Sequence, residues 1–226
     1  MQNLLNNAIV SIYSMKKAVL FDFWGTVVQQ GAYSPLKQTY QLMRPRMHFG
    51  VFVEKFERIA MTKPYDDQNL MYKDAFEAFG MEPKDWIIER LVGVWNKSKL
   101  LATPYPETIK VLEELKKKGI KLGLISNTFK SSVDGLLEKF GMDKLFDVVC
   151  FSCDTGYLKT DVEMINHALK QLGVTKEETI MVGDSMQTDI VGAEKAGVFP
   201  VLIDRKGTRE YTNKIASLTE LEKFLG

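Results

Sequence analysis

The sequence predicts an α/β fold in which a doubly wound parallel sheet carries helices on both faces. Short, continuous apolar segments recur along the chain and alternate with amphipathic helical segments. Continuous apolar runs are typical of strands that are buried on both faces, as they are in parallel sheets. Because a parallel connection needs a crossover, usually a helix, the alternation favours a parallel sheet over an antiparallel one.

The composition limits the kinds of protein that this chain could be and the partners that it could have. The chain has 226 residues, 45% of them hydrophobic and 26% charged, which fits one large domain or a domain with a substantial insert. Lys and Arg number 30 and Asp and Glu 29, so the net charge is +1 and we expect no nucleic-acid partner. The sequence has no apolar run of about 20 residues, so we expect no membrane partner and a cytoplasmic protein.

Five apolar segments are predicted to be the strands of the sheet. They are AVLF (18–21), KLGLIS (121–126), FDVVCFS (146–152), TIMVGDS (179–185) and FPVLID (199–204). Residues 1–14 lack the basic front of a secretory signal, and Met15 offers an alternative start, so we interpret these residues as a non-catalytic N-terminal extension.

Helices are predicted between these strands. The segment ETIKVLEELKKKG follows two prolines, has an apolar face and ends in lysines and Gly119, which are start and stop signals of a helix. The segments SSVDGLLEKFG and DVEMINHALKQLG show the same period and are each predicted to be one helix.

A stretch without predicted strands, from about Gly31 to Thr103, interrupts this alternation. Its predicted helices lie around Pro35–Met43, Val51–Met61, Gln68–Phe79 and Lys84–Lys97. We expect residues 30–104 to form a helical layer with a small core of its own, and residues 15–29 and 105–226 to form the sheet domain. Since the layer follows the first strand, we expect it to lie over the carboxyl end of that strand.

Polar residues stand where the predicted strands end. Asp22, Ser126 and Asp184 each come at the end of a strand, and Lys159 lies one loop beyond the third strand. Singly, these could be turn or helix-cap residues. Ligands bind at the carboxyl ends of the strands of such sheets, so together they predict a catalytic crevice, with Asp189 at the opening of the next helix.

These residues resemble the four ordered motifs of the haloacid dehalogenase-like hydrolases. The motifs are DFWGT (22–26), LISNT (124–128), Lys159 and GDSMQTD (183–189). The resemblance covers nearly all of the chain from Met15. It implies a Rossmann-like core with an α-helical cap inserted after the first motif.

The resemblance assigns roles to the motif residues. Asp22 resembles the nucleophile that forms a covalent aspartyl intermediate. Ser126 would bind the transferring group and Lys159 would neutralise the nucleophile and the substrate anion. Thr26 and Asn127 are predicted to contact the substrate. The implied substrate is a small phosphorylated molecule.

Magnesium is the implied cofactor. The resemblance assigns Asp22, Asp184 and the backbone carbonyl of Trp24 as its ligands, with Asp189 acting directly or through water. The residues support a metal independently, because crowded carboxylates raise each other's pKa values and resist ionisation unless a cation joins them. Ligation by oxygen alone suits Mg²⁺.

Trp24 departs from the pattern of the family's phosphatases, which usually have a second aspartate at this position as general acid and base. An indole cannot protonate a leaving group. General acid–base catalysis contributes about 10²–10⁴ in rate, so we expect slow hydrolysis of phosphates with poor alcohol leaving groups.

Other activities stay open because of Trp24. A 2-haloacid dehalogenase, which uses its nucleophile without metal, needs no leaving-group proton. Phosphatase activity is favoured because the chain keeps Asp184 and Asp189, which without a metal would repel a carboxylate substrate. A phosphonate hydrolase would need a cap lysine that the sequence does not single out. The non-enzyme alternative is a catalytically weakened protein that binds a phosphorylated ligand.

Cys150 and Cys153 form a C-x-x-C pair at the end of the third predicted strand. A zinc site would need two further ligands, and a redox pair would lie at a helix N-terminus. We therefore expect ordinary buried thiols, with a local disulfide as the alternative.

Overall fold

A computed structural model describes residues 15–29, 31, 34–133 and 135–226. The predicted N-terminal extension, residues 1–14, lies outside the described residues. In the part that the structure describes, no helix is both long enough and apolar enough to cross a membrane.

The sheet has the predicted parallel architecture. The strands are, in chain order, β1 (Ala18–Phe21), β2 (Val28–Gln29), β3 (Thr103–Pro104), β4 (Lys121–Ser126), β5 (Val148–Phe151), β6 (Thr179–Gly183), β7 (Phe199–Ile203) and β8 (Lys214–Ile215). Six of them form one sheet in the order β5-β4-β1-β6-β7-β8, and every neighbouring pair is parallel. Strands β2 and β3 form a separate antiparallel pair.

Helices connect the strands and cover the sheet. They are α1 (Pro35–Met43), α2 (Phe49–Ala60), α3 (Gln68–Ala78), α4 (Asp85–Leu100), α5 (Thr108–Lys117), α6 (Lys130–Val133), α7 (Leu136–Lys139), α8 (Ser152–Thr155), α9 (Val162–Leu172) and α10 (Val191–Ala196). A π-helical turn, Met186–Ile190, precedes α10, and a 3₁₀ helix, Leu218–Phe224, lies near the C-terminus.

Strand β1 shows why an unbroken apolar run forms this sheet. All four of its residues are fully buried. Val19 and Phe21 point to one face, into a cluster that includes Leu112 of α5. Ala18 and Leu20 point to the other face, into a cluster with the apolar side of α9. Because both faces of the sheet are covered by helices, the predicted doubly wound α/β class is confirmed.

The helical insert, defined as residues 35–100, contains α1 to α4 and packs around an aromatic core of its own. Within it, the rings of Phe52 and Phe56 are stacked with centroids 5.4 Å apart. The same core includes Phe129 from the loop after β4, whose ring centroid lies 4.6 Å from that of Trp95. The insert therefore packs directly on the loop that follows β4. The exact domain boundaries at residues 30 and 104 stay a prediction.

Short elements account for the differences from the sequence prediction. The segment SSVDGLLEKFG does not form one helix but the two short helices α6 and α7, and Gly135 between them has a φ of +70°. That left-handed conformation suits glycine and interrupts a helix. Strands β2, β3 and β8 are two residues each, which is too short for an apolar run to reveal them.

Candidate active site

The predicted site residues meet at the carboxyl edge of the sheet. Strand β1 lies between β4 and β6, and Phe21 pairs with Leu124 on one side and Val182 on the other. Asp22, the residue after Phe21, therefore lies beside the ends of both neighbouring strands. Those ends carry Ser126 and Asp184.

A buried ion-pair network joins the first, third and fourth motifs. The Lys159 Nζ lies 2.6 Å from Asp22 Oδ1 and 2.5 Å from Asp189 Oδ1. The exposed fractions of the three side chains are 5%, 4% and 1%. One ammonium group thus serves two buried carboxylates, which leaves this group of side chains with a surplus of negative charge.

Two features fix the backbone of Lys159. Its N–H donates to Asn127 Oδ1 at 2.8 Å. Its carbonyl oxygen packs against Gly192 of α10 so closely that a Cβ at position 192 would lie 2.1 Å from it. Only glycine permits this approach, so α10 and the loop after β4 together hold the lysine over Asp22.

The turn after β1 holds Asp22 from the other side. The Thr26 hydroxyl donates to Asp22 Oδ2 at 3.0 Å, and Thr26 is fully buried. Arg205 donates to the Thr26 carbonyl at 2.8 Å and forms an ion pair with Glu107 at 2.6 Å. The two oxygens of Asp22 are therefore held by two different groups, which fixes the orientation of the carboxylate.

Gly25 allows the turn to bend back onto the fourth motif. It has a φ of +86°, and a Cβ there would lie 2.4 Å from Asp184 Oδ2. A side chain would meet both a strained backbone and the Asp184 carboxylate. Gly25 therefore permits the sharp exit of the chain from β1.

Asp189 lies in the π-helical turn Met186–Ile190. The backbone N–H of Ser185 donates to Asp189 Oδ2 at 2.9 Å, while the other oxygen accepts from Lys159. Gly183 leaves room for this side chain, because a Cβ at that position would lie 2.2 Å from the Asp189 Cγ. The Asp189 carboxylate is thereby directed at Lys159 and at the carboxylates beside it.

Three carboxylates form a cluster that suits a hard cation. Ligand oxygens of Asp22, Asp184 and Asp189 all lie within 4.8 Å of one another. The pKa of Asp22 is raised to about 8. Burial is the largest cause and outweighs the lowering by the Lys159 ammonium, and the charges of Asp189 and Asp184 raise the pKa further. Burial and Asp189 raise the pKa of Asp184 to about 6. A bound divalent cation would favour the ionised carboxylates, and an all-oxygen donor set fits Mg²⁺.

Ser126 has a hydroxyl that no described residue satisfies. Its Oγ is buried and has no hydrogen-bond partner among the described residues. An unpaired buried hydroxyl costs about 1–3 kcal/mol, so this atom is suited to a group that a ligand would bring. Ser126 lies at the end of β4, beside Asp22, and its role in binding a transferring group stays a prediction.

Asn127 links the helical insert to the sheet domain. Its Oδ1 accepts from the Lys159 backbone, and its Nδ2 donates to Glu57 Oε2 at 2.8 Å. Glu57 lies on α2, is only 8% exposed and was not singled out from the sequence, where it is one of several glutamates in the insert. Asn127 contacts protein groups at both ends, and substrate binding by Asn127 and Thr26 stays a prediction.

Trp24 occupies the turn where the family's phosphatases usually carry an acid. The indole is half-buried and packs edge-to-face on Phe23, with ring centroids 4.8 Å apart. Its Nε1 is buried without a hydrogen-bond partner among the described residues. The structure therefore supplies no carboxyl group from this position.

The two cysteines are not part of the buried ion-pair network. Cys150 and Cys153 are both free and buried, so the prediction of ordinary thiols is confirmed. Burial and the nearby Asp154 raise the pKa of Cys150 to about 11 and that of Cys153 to about 12. Thiols of this kind are poor nucleophiles and poor metal ligands at neutral pH.

Comparisons with known proteins show the family of the chain. A model of the haloacid dehalogenase-like hydrolase family matches residues 16–197. The glyceraldehyde 3-phosphate phosphatase of Methanothermobacter thermautotrophicus is 32% identical over 58% of this chain, and the match spans 58% of that relative. The glyceraldehyde 3-phosphate phosphatase of Methanocaldococcus jannaschii is 28% identical over 84% of this chain and 85% of its own. The chain thus spans less than two thirds of the first of these relatives.

Solved structures agree in fold. A haloacid dehalogenase-like phosphatase from Thermococcus onnurineus is 29% identical, with a TM-score of 0.62 over 93% of this chain and 98% of its own. L-2-haloacid dehalogenase from Xanthobacter autotrophicus is 20% identical, with a TM-score of 0.61 over 92% of this chain and 98% of its own. That second likeness is one of fold alone, so the fold does not separate phosphatases from dehalogenases.

Proposed function

The chain belongs to the haloacid dehalogenase-like hydrolases, and on that premise we propose that it is a Mg²⁺-dependent phosphatase of small phosphorylated molecules. Hydrolysis would proceed through a covalent aspartyl-phosphate on Asp22. We also propose a cytoplasmic location. The relatives that are named as phosphatases support the reaction class.

One observation carries this proposal. The oxygens of Asp22, Asp184 and Asp189 converge within 4.8 Å of one another, around a single lysine. Without a cation this cluster would repel any anionic substrate. With Mg²⁺ bound, the charge of the carboxylates would be balanced, so the site could accept a phosphate dianion.

The side chains fit the steps of phosphoryl transfer. Asp22, held by Thr26 and Lys159, would attack phosphorus while Ser126 donates its free hydroxyl to a phosphoryl oxygen. Lys159 would balance the charge of the carboxylate and of the incoming anion.

Asp22, Asp184, the carbonyl of Trp24 and, directly or through water, Asp189 would hold Mg²⁺. The ion would supply Lewis-acid stabilisation of the phosphoryl charge.

A phosphate-release assay tests the proposal. The wild-type protein should release phosphate from 4-nitrophenyl phosphate with Mg²⁺ and lose this activity with a chelator. The Asp22→Asn variant should be inactive. Asp143→Asn, which changes an exposed aspartate far along the chain, should keep the wild-type rate. Absence of phosphate release from the Mg²⁺-loaded wild type would overturn the proposal.

Trp24 is also compatible with a second activity, the hydrolysis of 2-haloacids. A halide leaves without a proton, so a dehalogenase would lose nothing from an indole at this position. This activity would be favoured if the protein released halide from a 2-haloacid at a rate that a chelator does not change, and released no phosphate from 4-nitrophenyl phosphate. Binding of inorganic phosphate without either turnover would favour the non-catalytic alternative.

A further inference from the structure

The phosphatase proposal leaves a chemical gap, because it contains no group that protonates the departing alcohol. Asp22, Asp184, Asp189 and Lys159 are all committed to the nucleophile or to the metal, and Trp24 has no acidic proton. An alkoxide or phenoxide would then have to leave without help, which costs about 10²–10⁴ in rate.

Few Asp, Glu and Lys side chains are buried among the described residues, and one of them has no role in the proposed mechanism so far. The buried Asp, Glu and Lys side chains among the described residues are Lys16, Asp22, Glu57, Lys159, Asp189 and Asp204. Lys16 bonds to the Glu177 carbonyl, and Asp204 binds Arg209 within a loop. Glu57 is the remaining one, and it comes from the helical insert rather than from the sheet domain.

Glu57 reaches the site through one hydrogen bond. Asn127 Nδ2 donates to its Oε2 at 2.8 Å, and Asn127 directly follows Ser126, whose hydroxyl is unpaired. The other oxygen, Oε1, accepts no hydrogen bond from the described residues. Lys159 and Asp189 both act electrostatically on this carboxyl, so Glu57 lies near the buried ion-pair network that holds the nucleophile.

The surroundings of Glu57 raise the pKa of its carboxyl group, which favours the protonated form. Burial is the main cause that raises the pKa of Glu57, and the Asn127 hydrogen bond, Lys159 and Arg58 only partly oppose it. Arg58, the neighbouring residue on α2, is engaged elsewhere, in an ion pair with Asp161 at 2.5 Å. A raised pKa lets a carboxyl hold its proton to a higher pH than an exposed glutamate does, and general-acid catalysis needs a shift in this direction.

We propose that Glu57 is the general acid and base of the reaction, supplied by the helical insert in place of the acid that Trp24 replaces. This assignment rests on the proposed phosphatase function. In the first step the Glu57 carboxyl gives its proton to the bridging oxygen as the P–O bond to the alcohol breaks and the P–O bond to Asp22 forms.

The second step restores both residues. The Glu57 carboxylate takes a proton from the water that attacks phosphorus, the P–O bond to Asp22 breaks, and inorganic phosphate leaves. Asp22 is again a carboxylate and Glu57 again a carboxylic acid, so the cycle consumes only the phosphate ester and water.

Two substrates of nearly equal shape test this role. Phenyl phosphate and 4-nitrophenyl phosphate differ in how much their leaving groups need a proton, and kcat/KM reports only the steps through departure of the alcohol. Glu57→Gln should lower kcat/KM for phenyl phosphate at least about tenfold more than for 4-nitrophenyl phosphate, within the 10²–10⁴ range of acid catalysis.

Control variants separate chemistry from positioning. Asn127→Ala removes the hydrogen bond that orients Glu57 but leaves its carboxyl group, so its extra loss on phenyl phosphate should be smaller than that of Glu57→Gln. Glu54→Gln changes an exposed glutamate of α2 and should leave both values near wild type. The unmodified protein gives a measurement that does not depend on how a variant folds. Its kcat/KM should differ between the two phosphates by less than about tenfold if an acid assists.

The outcomes are distinguishable. A wild type that releases no phosphate from 4-nitrophenyl phosphate overturns the phosphatase proposal and this assignment with it. A wild type that turns over, together with an equal or absent loss in Glu57→Gln, overturns the assignment alone. So does a steep preference of the wild type for 4-nitrophenyl phosphate. A selective loss on phenyl phosphate supports Glu57.

Discussion

Lys159 and Asp22, which are 137 positions apart in the sequence, form a buried ion pair with 2.6 Å between Nζ and Oδ1. The same ammonium also holds Asp189 at 2.5 Å. Desolvation by burial lowers the pKa of Lys159, but the Asp189 and Asp22 carboxylates raise it by more, so the pKa lies above its usual value. The lysine therefore stays charged at every pH at which the protein would act.

Removal of this lysine should destabilise the metal-free protein. Lys159→Ala leaves buried carboxylates without their counter-charge, and such a loss costs about 3–5 kcal/mol in the free energy of unfolding. Lys116→Ala, which breaks a partly exposed ion pair with Asp147, should cost less than about 1 kcal/mol. Urea unfolding at pH 8 measures both. Equal losses in the two variants would mean that the buried pair does not carry the stability assigned to it.

Magnesium should stabilise the protein more at pH 8 than at pH 5. The pKa values of Asp22 and Asp184 are raised to about 8 and about 6, so the folded protein holds more protons than the unfolded chain between pH 4 and 8. The contribution of these two groups to the free energy of unfolding of the metal-free protein therefore falls as the pH rises through that range.

At low pH, protons compete with the metal for the same oxygens. At pH 8, Mg²⁺ at 100 times its dissociation constant should add about 2.7 kcal/mol to the free energy of unfolding. Thermal unfolding with and without Mg²⁺ measures this, and Asp184→Asn is the matched variant that should lose the effect. A Mg²⁺ effect that is independent of pH contradicts the assignment of these carboxylates.

Trp24→Asp should rescue the Glu57→Gln variant. An aspartate at position 24 restores the acid that the family's phosphatases usually carry, so it should recover at least about tenfold of the lost kcat/KM for phenyl phosphate. In the wild-type background the same substitution should change kcat/KM little, because Glu57 already donates the proton. A gain of about 10²-fold in the wild-type background would show that the natural protein has no acid.

The two cysteines should resist modification in the folded protein. Their pKa values of about 11 and 12 leave almost no thiolate at pH 8, and both side chains are buried. Ellman's reagent should label neither thiol in the native protein and both after denaturation. Rapid labelling of the native protein, or failure to label both thiols once it is denatured without reductant, would contradict free buried cysteines.

The sheet could be predicted from the sequence because its information is local. Residues 18–21 form an unbroken apolar run that is typical of a strand buried on both faces, and α9 carries its apolar side at helical spacing. The strand ends then follow from the topology of a parallel sheet, which is why Asp22, Ser126 and Asp184 were placed together.

Contacts made by single side chains across the fold could not be predicted in this way. Glu57 meets Asn127 only because the helical insert packs on the loop after β4, and Arg205 reaches the Thr26 carbonyl across 179 positions of sequence. Neither residue belongs to a motif, and each resembles many surface residues of the same type. Their roles depend on tertiary packing that no local pattern records.

A covalent intermediate on Asp22 is the central claim, and chemical trapping tests it most directly. The Mg²⁺-loaded protein would be mixed with 4-nitrophenyl phosphate, quenched within the first turnover, and treated with borohydride, which reduces an aspartyl-phosphate to homoserine. Peptide mass spectrometry should find homoserine at position 22 and unmodified aspartate at positions 184 and 189. Steady phosphate release with no reduction at Asp22, or with reduction at another aspartate, would contradict the account.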